Sequence, residues 1–357
     1  MNTLEFNNPA PGHNPPPQTY AGFGLGAARM GGEDQSRKFA EGPSADHTTN
    51  QPGITMLKQI GFIINPAAAA GRCSAQWAEL QNRFRQDGIQ AEARFTAGPG
   101  DAVRCAQALA RECDVVVAVG GDGTLFEVAS GLLLSGAPNP VLGVVPLGTG
   151  NDAARQCGIN DITQACLALQ GNRTRTVDAI RIRCQVGGTP VLRYALLFGA
   201  VGIAGESLNR TTPLVKRVFG QRLAYPVGAL RAIWTYRAPR MRVTADGRTW
   251  EKRFLLVCVS NGEMAGGGMR LAPDACIDDG LLDVNVCEAI GRWATIALLW
   301  QVCRGRRMSH SKLRYFSARS VTVEADPPLA VAADGELIGY TPGQLEVVPQ
   351  ALRILIP

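Results

Sequence analysis

The 357-residue chain is long enough for two domains. Its composition, 46% hydrophobic and only 18% charged residues, predicts an ample folded core. Its formal net charge of +6 suits an acidic partner such as a nucleotide or an anionic lipid, but it does not require nucleic acid. The ten cysteines include no C-x-x-C pair and there are only three histidines, which argues against zinc clusters and histidine-based catalytic triads.

The first 56 residues predict a disordered tail, because seven prolines and eight glycines occur there with almost no apolar periodicity. A GFGLG run at Gly22 to Gly26 follows no strand, so it does not support a dinucleotide-binding site. The start of the chain lacks a basic region followed by an apolar core, which predicts no signal peptide. No apolar run reaches about 18 residues, so we expect a cytoplasmic protein that is soluble or peripheral to a membrane.

From residue 57 onward, apolar strands alternate with helices, a pattern that predicts a parallel sheet with right-handed crossovers. The stretch Ile60 to Gly71, IGFIINPAAAAG, is a strand followed by Asn65 and Pro66. The small residues after them, Ala67, Ala68 and Ala69, would let a phosphate chain lie close. Helices are predicted at Ser74 to Gln86 and Asp101 to Cys113, with a short strand at Ala91 to Thr96 between them.

The stretch Val115 to Glu127, VVVAVGGDGTLFE, predicts a strand, a phosphate-binding loop and a helix. Glycines let the backbone turn tightly and approach a ligand, and amides at the helix start would face an anion. Thr124 could cap that helix, and a divalent cation could join Asp122 to phosphate oxygens. Taken alone, the stretch is also compatible with a plain left-handed turn that carries a surface aspartate. The loop residues are Gly120, Gly121, Asp122, Gly123 and Thr124.

A second strand of the same kind, Val141 to Asp152, has the sequence VLGVVPLGTGND. Its loop contains Gly148, Thr149, Gly150, Asn151 and Asp152. Ligands of open parallel sheets bind at the carboxyl ends of the strands, so three such loops predict one nucleotide site.

After Val177, short alternating strands separated by turn residues predict a second domain, an antiparallel β-sandwich or barrel. Two acidic clusters lie in it. Pro273 to Asp283, PDACIDDGLLD, offers oxygen ligands for a hard cation, but the residues alone favour a hairpin whose acids face water. Asp334, Gly335 and Glu336 follow an apolar run and predict a two-residue hairpin turn, which could also carry a catalytic base.

These motifs resemble the diacylglycerol kinase catalytic family, in particular the soluble bacterial lipid kinases that are also similar to sphingosine kinases. The matching residues are NPAAAAG, GGDGT, PLGTGNDAAR, PDACIDDGLLDV and DGE, from about Lys58 to the C-terminus. The resemblance implies an α/β nucleotide-binding domain with a parallel sheet, similar to phosphofructokinase and NAD kinase, and a β-sandwich domain across an active-site cleft. The corresponding boundaries are 1–56 for the tail, 57–180 for the first domain and 181–345 for the second. The strand at 346–357 would return to the first domain.

The resemblance also implies an ATP-dependent kinase that uses Mg²⁺ and phosphorylates a lipid hydroxyl such as that of diacylglycerol. Asp334 would be the general base, with Glu336 supporting metal or orientation and Asp122 near the phosphates. ATP would contact the three loops and Thr96, which the sequence alone could equally assign to capping the next helix. A structural magnesium would bind the Asp279 carboxylate and the carbonyls of Cys276 and Leu281.

Two alternatives stay open. A NAD kinase shares GGDGT, although PLGTGNDAAR favours a lipid kinase and no downstream Asn-Glu pair is evident. A non-catalytic nucleotide sensor could keep the fold, but the acids Asp122, Asp334 and Glu336 argue against it. The sequence does not fix the acceptor lipid or the oligomeric state, so a homodimer also stays open.

Two basic clusters predict docking on an anionic membrane surface, although solvated helix faces would look similar. The first cluster contains Arg210, Lys216, Arg217, Arg222, Arg231, Arg237, Arg240 and Arg242, interleaved with Phe219, Tyr225, Trp234 and Tyr236. The second contains Arg304, Arg306, Arg307, Lys312 and Arg314, and it follows the apolar stretch Trp293 to Val302.

Overall fold

The computed structural model describes residues 59–86, 89, 91–148, 150–210, 228–265 and 268–357. The predicted tail, residues 1–56, lies outside the described residues, and so does Thr149. The same holds for five residues of the first basic cluster and its interleaved aromatics: Lys216, Arg217, Phe219, Arg222 and Tyr225.

Four strands near the start of the described chain pair in parallel, in the order β2-β1-β3-β4. All residues of β1, β3 and β4 are buried, which explains their uninterrupted apolar sequences. The strands are β1 (Ile60–Ile64), β2 (Ala91–Phe95), β3 (Val115–Gly120) and β4 (Val141–Pro146).

Helices connect these strands and pack on them through apolar side chains. On the first helix Trp77, Leu80 and Phe84 are buried, and Trp77 and Phe84 pack against Phe62 of β1. The helices are α1 (Cys73–Gln86), α2 (Asp101–Leu109), α3 (Asp122–Leu134), α4 (Asp152–Gln156) and α5 (Ile162–Gln170), with a 3-10 turn at Ala68–Gly71.

The remaining strands pair mainly antiparallel. They are β5 (Thr174–Val186), β6 (Thr189–Ala195), β7 (Phe198–Gly202), β8 (Arg240–Ala245), β9 (Arg248–Ser260), β10 (Met264–Ala265), β11 (Met269–Arg270), β12 (Leu282–Glu288), β13 (Leu313–Ala318), β14 (Ser320–Ala325), β15 (Ala330–Ala333) and β16 (Glu336–Leu355). Three helices accompany them: α6 (Ile203–Arg210), α7 (residues 228–235) and α8 (Arg292–Cys303).

The last strand joins the two sets of strands. β16 pairs antiparallel with β5, β14 and β15, and near its end Arg353 and Ile354 pair in parallel with Val141 and Leu142 of β4. Within the described residues, fourteen strands therefore form one hydrogen-bonded network.

Several boundaries differ from the sequence prediction. The stretch Arg193 to Gly202 reads as one strand, but the chain breaks at Leu196 and Leu197 into β6 and β7. The helix predicted to end at Cys113 ends at Leu109. Thr124 is not a helix cap: Gly121 holds the N-cap position of α3, and Thr124 lies buried within the helix.

Candidate active site

The predicted nucleotide residues lie at the carboxyl ends of the parallel strands. Asn65 follows β1, Thr96 follows β2, and the GGDGT loop begins at the end of β3. The Asn65 Nδ2 donates a hydrogen bond of 2.9 Å to the Thr124 Oγ1, which ties the ends of β1 and β3 together. In the sheet, β2 lies on one side of β1 and β3 lies on the other. The strand order therefore reverses at β1, and open α/β sheets bind ligands at such a switch point.

The two glycine loops touch each other. A Cβ on Gly148 would lie 2.3 Å from the Gly121 Cα and 2.7 Å from the Asn151 Oδ1, so no side chain fits at that position. The Asn151 side chain holds the second loop through bonds with the amide and the carbonyl of Gly148, at 3.1 and 3.0 Å. This bare backbone surface fits a phosphate chain, which needs close approach to amides.

Residues of the NPAAAAG segment form a compact turn beside the loops. The Asn65 Oδ1 accepts a bond from the Ala67 amide at 3.0 Å, and Pro66 lies between them. Ala68 and Ala69 begin the 3-10 turn that follows. The Thr96 amide donates to the Ile64 carbonyl at 2.9 Å, which keeps Thr96 beside the end of β1. The N-cap of α2 is Gly100, so Thr96 does not cap that helix.

Asp122 fastens the first loop to the second. Its Oδ1 accepts a bond from the Ala153 amide, at the start of α4, at 3.4 Å. Burial raises the pKa of Asp122, and the nearby charge of Asp152 adds to this rise, while the amides of residues 151–153 oppose it. Asp152 itself is buried and forms an ion pair of 2.5 Å with Arg155. Both predicted carboxylates therefore lie together under the second loop.

Asp334 lies in a left-handed hairpin turn and is nearly buried. Its φ is +48° and that of Gly335 is +87°, the pair of positive values that a two-residue hairpin requires. Backbone amides of Leu196, Leu197 and Phe198 donate to its carboxylate at 2.7, 3.0 and 2.9 Å. These amides are free to bind Asp334 because the strand pairing is interrupted here, between the end of β6 and the start of β7.

Asn261 holds that break in position. Its side-chain Nδ2 donates to the carbonyls of Leu196 at 2.9 Å and Asp178 at 3.1 Å, and its own amide donates to the Leu197 carbonyl at 2.7 Å. Asn261 is buried, and sequence reasoning did not identify it. The available signal is its place directly after the apolar second half of β9, because a polar side chain buried there needs a hydrogen-bond partner.

The pKa of the Asp334 carboxyl is raised to about 7, chiefly by burial. The amides of residues 196–198 oppose this rise, and the charge of Asp122 adds to it. Near neutral pH the group can therefore hold or accept a proton.

Glu336 faces the glycine loop from the other end of the same turn. Its Oε1 lies 3.1 Å from the position that a Cβ on Gly123 would take. The predicted acids Asp122, Asp334 and Glu336 therefore meet at one place, although the sequence separates Asp122 from the other two by more than half of the chain.

An apolar cavity of about 190 Å³ ends at this turn. Its described lining residues are apolar apart from Ser207 and Thr295, and Gly335 forms part of the wall. The cavity lies among β7, β9, α6, α7 and α8, and representative lining residues are Phe198, Ile203, Leu255, Leu298 and Met308. Because these residues are dispersed along the chain, the sequence did not predict the cavity.

The predicted magnesium turn is held by a residue that sequence reasoning missed. Asp178, which is 1% exposed, accepts bonds from the amides of Gly280 at 2.7 Å and Gln350 at 2.8 Å. The Asp279 Oδ1 accepts from the Leu281 amide at 3.0 Å. One exposed carboxylate with neighbouring carbonyls, such as those of Cys276 and Leu281, is an oxygen set that suits Mg²⁺ with several waters. No group of three metal-binding side chains occurs within the described residues.

In the described part of the chain, no helix is long and apolar enough to cross a membrane. In the second basic cluster, Arg304 and Arg306 lie over the ring of Trp300 at 4.0 and 5.8 Å. Arg307 instead forms an ion pair with Asp274.

Two families match most of the described chain. Residues 59–182 match the diacylglycerol kinase catalytic domain, and residues 200–356 match the YegS C-terminal NAD kinase beta sandwich-like domain.

Individual relatives agree with these matches. The "Diacylglycerol kinase" of Bacillus subtilis (strain 168) is 28% identical over 307 residues, which cover 84% of this chain and 97% of the relative. A "Probable lipid kinase YegS-like" of Stenotrophomonas maltophilia (strain K279a) is 32% identical and covers 77% and 89%. The crystal structure of a diacylglycerol kinase from Bacillus anthracis str. Sterne shares the fold, with a TM-score of 0.62 at 24% identity over 85% of this chain and 98% of that chain.

Proposed function

The chain belongs to the family of diacylglycerol kinases and YegS-like lipid kinases, and from this membership we propose that it transfers the γ-phosphoryl group of ATP to the hydroxyl of a lipid such as diacylglycerol. The observation that carries the proposal is the position of the Asp334–Gly335–Glu336 turn. Gly335 borders the apolar cavity, whereas Glu336 contacts the GGDGT loop. A lipid whose chains fill the cavity would present its head at the turn, opposite the phosphates.

Asp334 is the group we assign to the lipid hydroxyl. As the new P–O bond forms, the hydroxyl proton passes to the Asp334 carboxylate, and ADP leaves with the electrons of the broken P–O bond. A pKa of about 7 lets this carboxylate accept the proton near neutral pH. The three amides of residues 196–198 fix the direction of its oxygens.

The two glycine loops would bind the phosphates of ATP through backbone amides, with Asn65 and Thr96 at their border. Asp122 and Glu336 are the carboxylates that would hold magnesium there. The ion, when bound, would neutralise charge on the phosphates.

We also assign a structural magnesium to the 276–281 turn, with Asp279 as its charged ligand. A magnesium ion that binds only the folded state stabilises that state. Magnesium should therefore raise the melting temperature of the wild type. Asp279→Ala should abolish this rise, while Asp246→Ala, which changes another exposed turn carboxylate, should keep it. A melting temperature of the wild type that ignores magnesium would contradict the assignment.

The function is tested by incubating the purified protein with labelled ATP and a panel of lipids, then identifying the labelled product by mass. We expect a phosphorylated lipid that contains a free hydroxyl. Asp334→Asn should lower turnover by about two to four powers of ten, because the proton acceptor is lost. ATP binding without any labelled lipid would instead favour a nucleotide sensor.

The chain offers a matched control for this variant. Asp246 occupies another Asp-Gly hairpin turn, with a φ of +43°, and accepts bonds from the amides of Arg319 and Ser320. It is exposed and joins β8 to β9. Asp246→Asn therefore repeats the chemical change in a similar turn, and turnover should stay near that of the wild type. Equal losses in both variants would show a folding defect rather than a missing base.

A further inference from the structure

A second pocket adjoins the apolar cavity and differs from it in charge. It measures about 620 Å³ and lies between the end of α7, β9 and the start of α8. Four residues border both spaces: Ile203, Ile233, Leu255 and Thr295. Whatever occupies the second pocket therefore sits beside the proposed lipid cavity.

Three arginines line this pocket: Arg237, Arg253 and Arg292. None of the described lining residues is acidic, and none of the three arginines has an ion pair with a described residue. Some neighbouring arginines elsewhere do have one; Arg181 and Arg183, for example, both pair with Glu346. Three guanidinium groups that line one pocket without carboxylate partners suit an anion, because planar guanidinium donors match phosphate oxygens.

Uncapped donors face the same space. Gly291, the N-cap of α8, lines the pocket, and no side chain caps the amides of this 12-residue helix. Such donors favour an anionic occupant that accepts several hydrogen bonds.

Tryptophans surround the pocket mouth. Trp293 is 76% exposed and meets Trp234, 51% exposed, edge to face at 6.1 Å. Arg292 lies 5.4 Å over the ring of Trp234. Along α8, Trp293 and Trp300 are seven residues apart and both exposed, whereas Leu298 and Val302 are buried towards the cavity. Exposed tryptophans beside arginines are typical of surfaces at the headgroup level of a membrane.

We infer that the pocket of Arg237, Arg253 and Arg292 binds the phosphate headgroup of an anionic membrane phospholipid, with Trp234 and Trp293 in the interfacial layer around it. This inference rests on the proposed function, because it makes the bound phospholipid a fixed neighbour of the cavity that would take the substrate. The bound lipid is a docking lipid, separate from the lipid that is phosphorylated.

The test is co-sedimentation with vesicles, without ATP and without turnover. One set of vesicles contains phosphatidylcholine alone, and the other contains equal parts of phosphatidylcholine and phosphatidylglycerol. We expect the wild type to prefer the anionic vesicles, with a blue shift of its tryptophan fluorescence. The triple variant Arg237→Gln, Arg253→Gln, Arg292→Gln should bind them about 100-fold more weakly, since each cation near an anionic surface contributes about a factor of five.

The matched control removes three arginines elsewhere. Arg83, Arg85 and Arg111 are exposed, and Arg83→Gln, Arg85→Gln, Arg111→Gln lowers the net charge by the same amount. This control should keep the preference for anionic vesicles. An equal loss in the control would overturn the inference in favour of net charge alone.

Inorganic phosphate at matched ionic strength separates a membrane headgroup from a free anion. If phosphate alone shifts the tryptophan fluorescence as far as anionic vesicles do, the inference of a membrane headgroup is overturned. The two proposals can fail separately. A protein that prefers anionic vesicles but phosphorylates no lipid would contradict the proposed kinase activity and still support the headgroup site.

Discussion

Burial gives Asp334 a pH signature in the stability of the free protein. Its pKa in the fold is about 7, whereas an unfolded aspartate titrates at about 4. Between these values the folded state holds a proton that the unfolded chain has released. The stability that Asp334 contributes is therefore fully present below about pH 4 and is lost as the pH rises through about 7.

We expect the unfolding free energy of the wild type to fall, relative to that of Asp334→Asn, between about pH 4 and pH 7, and to change no further above that range. Urea denaturation without magnesium or nucleotide measures this difference. A difference that stays constant across the range would mean that Asp334 titrates as a solvated acid.

Contact between the glycine loops leads to a second expectation for a single residue. Gly148→Ala would place a Cβ 2.3 Å from the Gly121 Cα, so the loops must separate. We expect ATP affinity to fall about tenfold or more, since forced overpacking of this kind costs about 1–3 kcal/mol. Gly98→Ala is the control, because a Cβ there meets no atom within 4 Å. Titration with a fluorescent ATP analogue measures the affinity. An unchanged affinity of Gly148→Ala would contradict the assignment of the loops as the phosphate site.

At this scale the sequence predicted turns better than contacts. The Asp-Gly pair has a strong local preference, so the hairpin at Asp334 could be predicted. The amides that bind its carboxylate could not, because a backbone donor leaves no residue signature at Leu196 or Leu197. Thr124 was assigned as a cap for a similar reason: its partner Asn65 lies 59 residues away.

The antiparallel strands depend on a few buried polar connections, and Asp178 on β5 is the clearest. It joins the 276–281 turn to β16 through the amides of Gly280 and Gln350. Asp178→Ala would leave two partly buried amides without their acceptor, at a cost of about 1–3 kcal/mol in unfolding free energy. Asp278→Ala, in the same turn, removes an ion pair with Arg175 whose two side chains are 37% and 36% exposed. That exposed pair should contribute less than about 1 kcal/mol.

Urea midpoints of the two variants provide the comparison. If Asp278→Ala destabilises the protein as much as Asp178→Ala, burial of Asp178 is not the source of the effect. The sequence predicted most of these strands from their alternating pattern. It did not predict the break between β6 and β7, because the run YALLFGAVG is apolar throughout and carries no turn residue at Leu196.

For the whole molecule, β16 is the element that links the parallel and antiparallel strands. Leu352 on this strand is 1% exposed and belongs to the core beneath the parallel strands. We expect one calorimetric unfolding transition, because neither set of strands is complete without β16. Leu352→Ala should move the whole transition to a lower temperature, at a cost of about 2–5 kcal/mol. Leu337→Ala, on the same strand and 40% exposed, should move it little.

Two separate transitions, with only one shifted by Leu352→Ala, would show that the two sets of strands unfold independently. A pairing between Arg353 and Val141 spans more than 200 residues, and no local pattern encodes such a contact. Resemblance to a family suggested the return of the last strand, whereas periodicity alone suggested only that a strand exists.

The hydrogen bonds around Asn261 form a continuous path between the two carboxylate turns. Gly280 binds Asp178, the carbonyls of Asp178 and Leu196 share the Asn261 side chain, and the Leu196 amide binds Asp334. If an ion in the 276–281 turn stiffens this path, it favours the arrangement of Asp334 that meets the substrate. Thermodynamic reciprocity then requires the converse: occupancy at the Asp334 turn must tighten the ion by the same factor. The ion would thus report the loading of a site that it never touches.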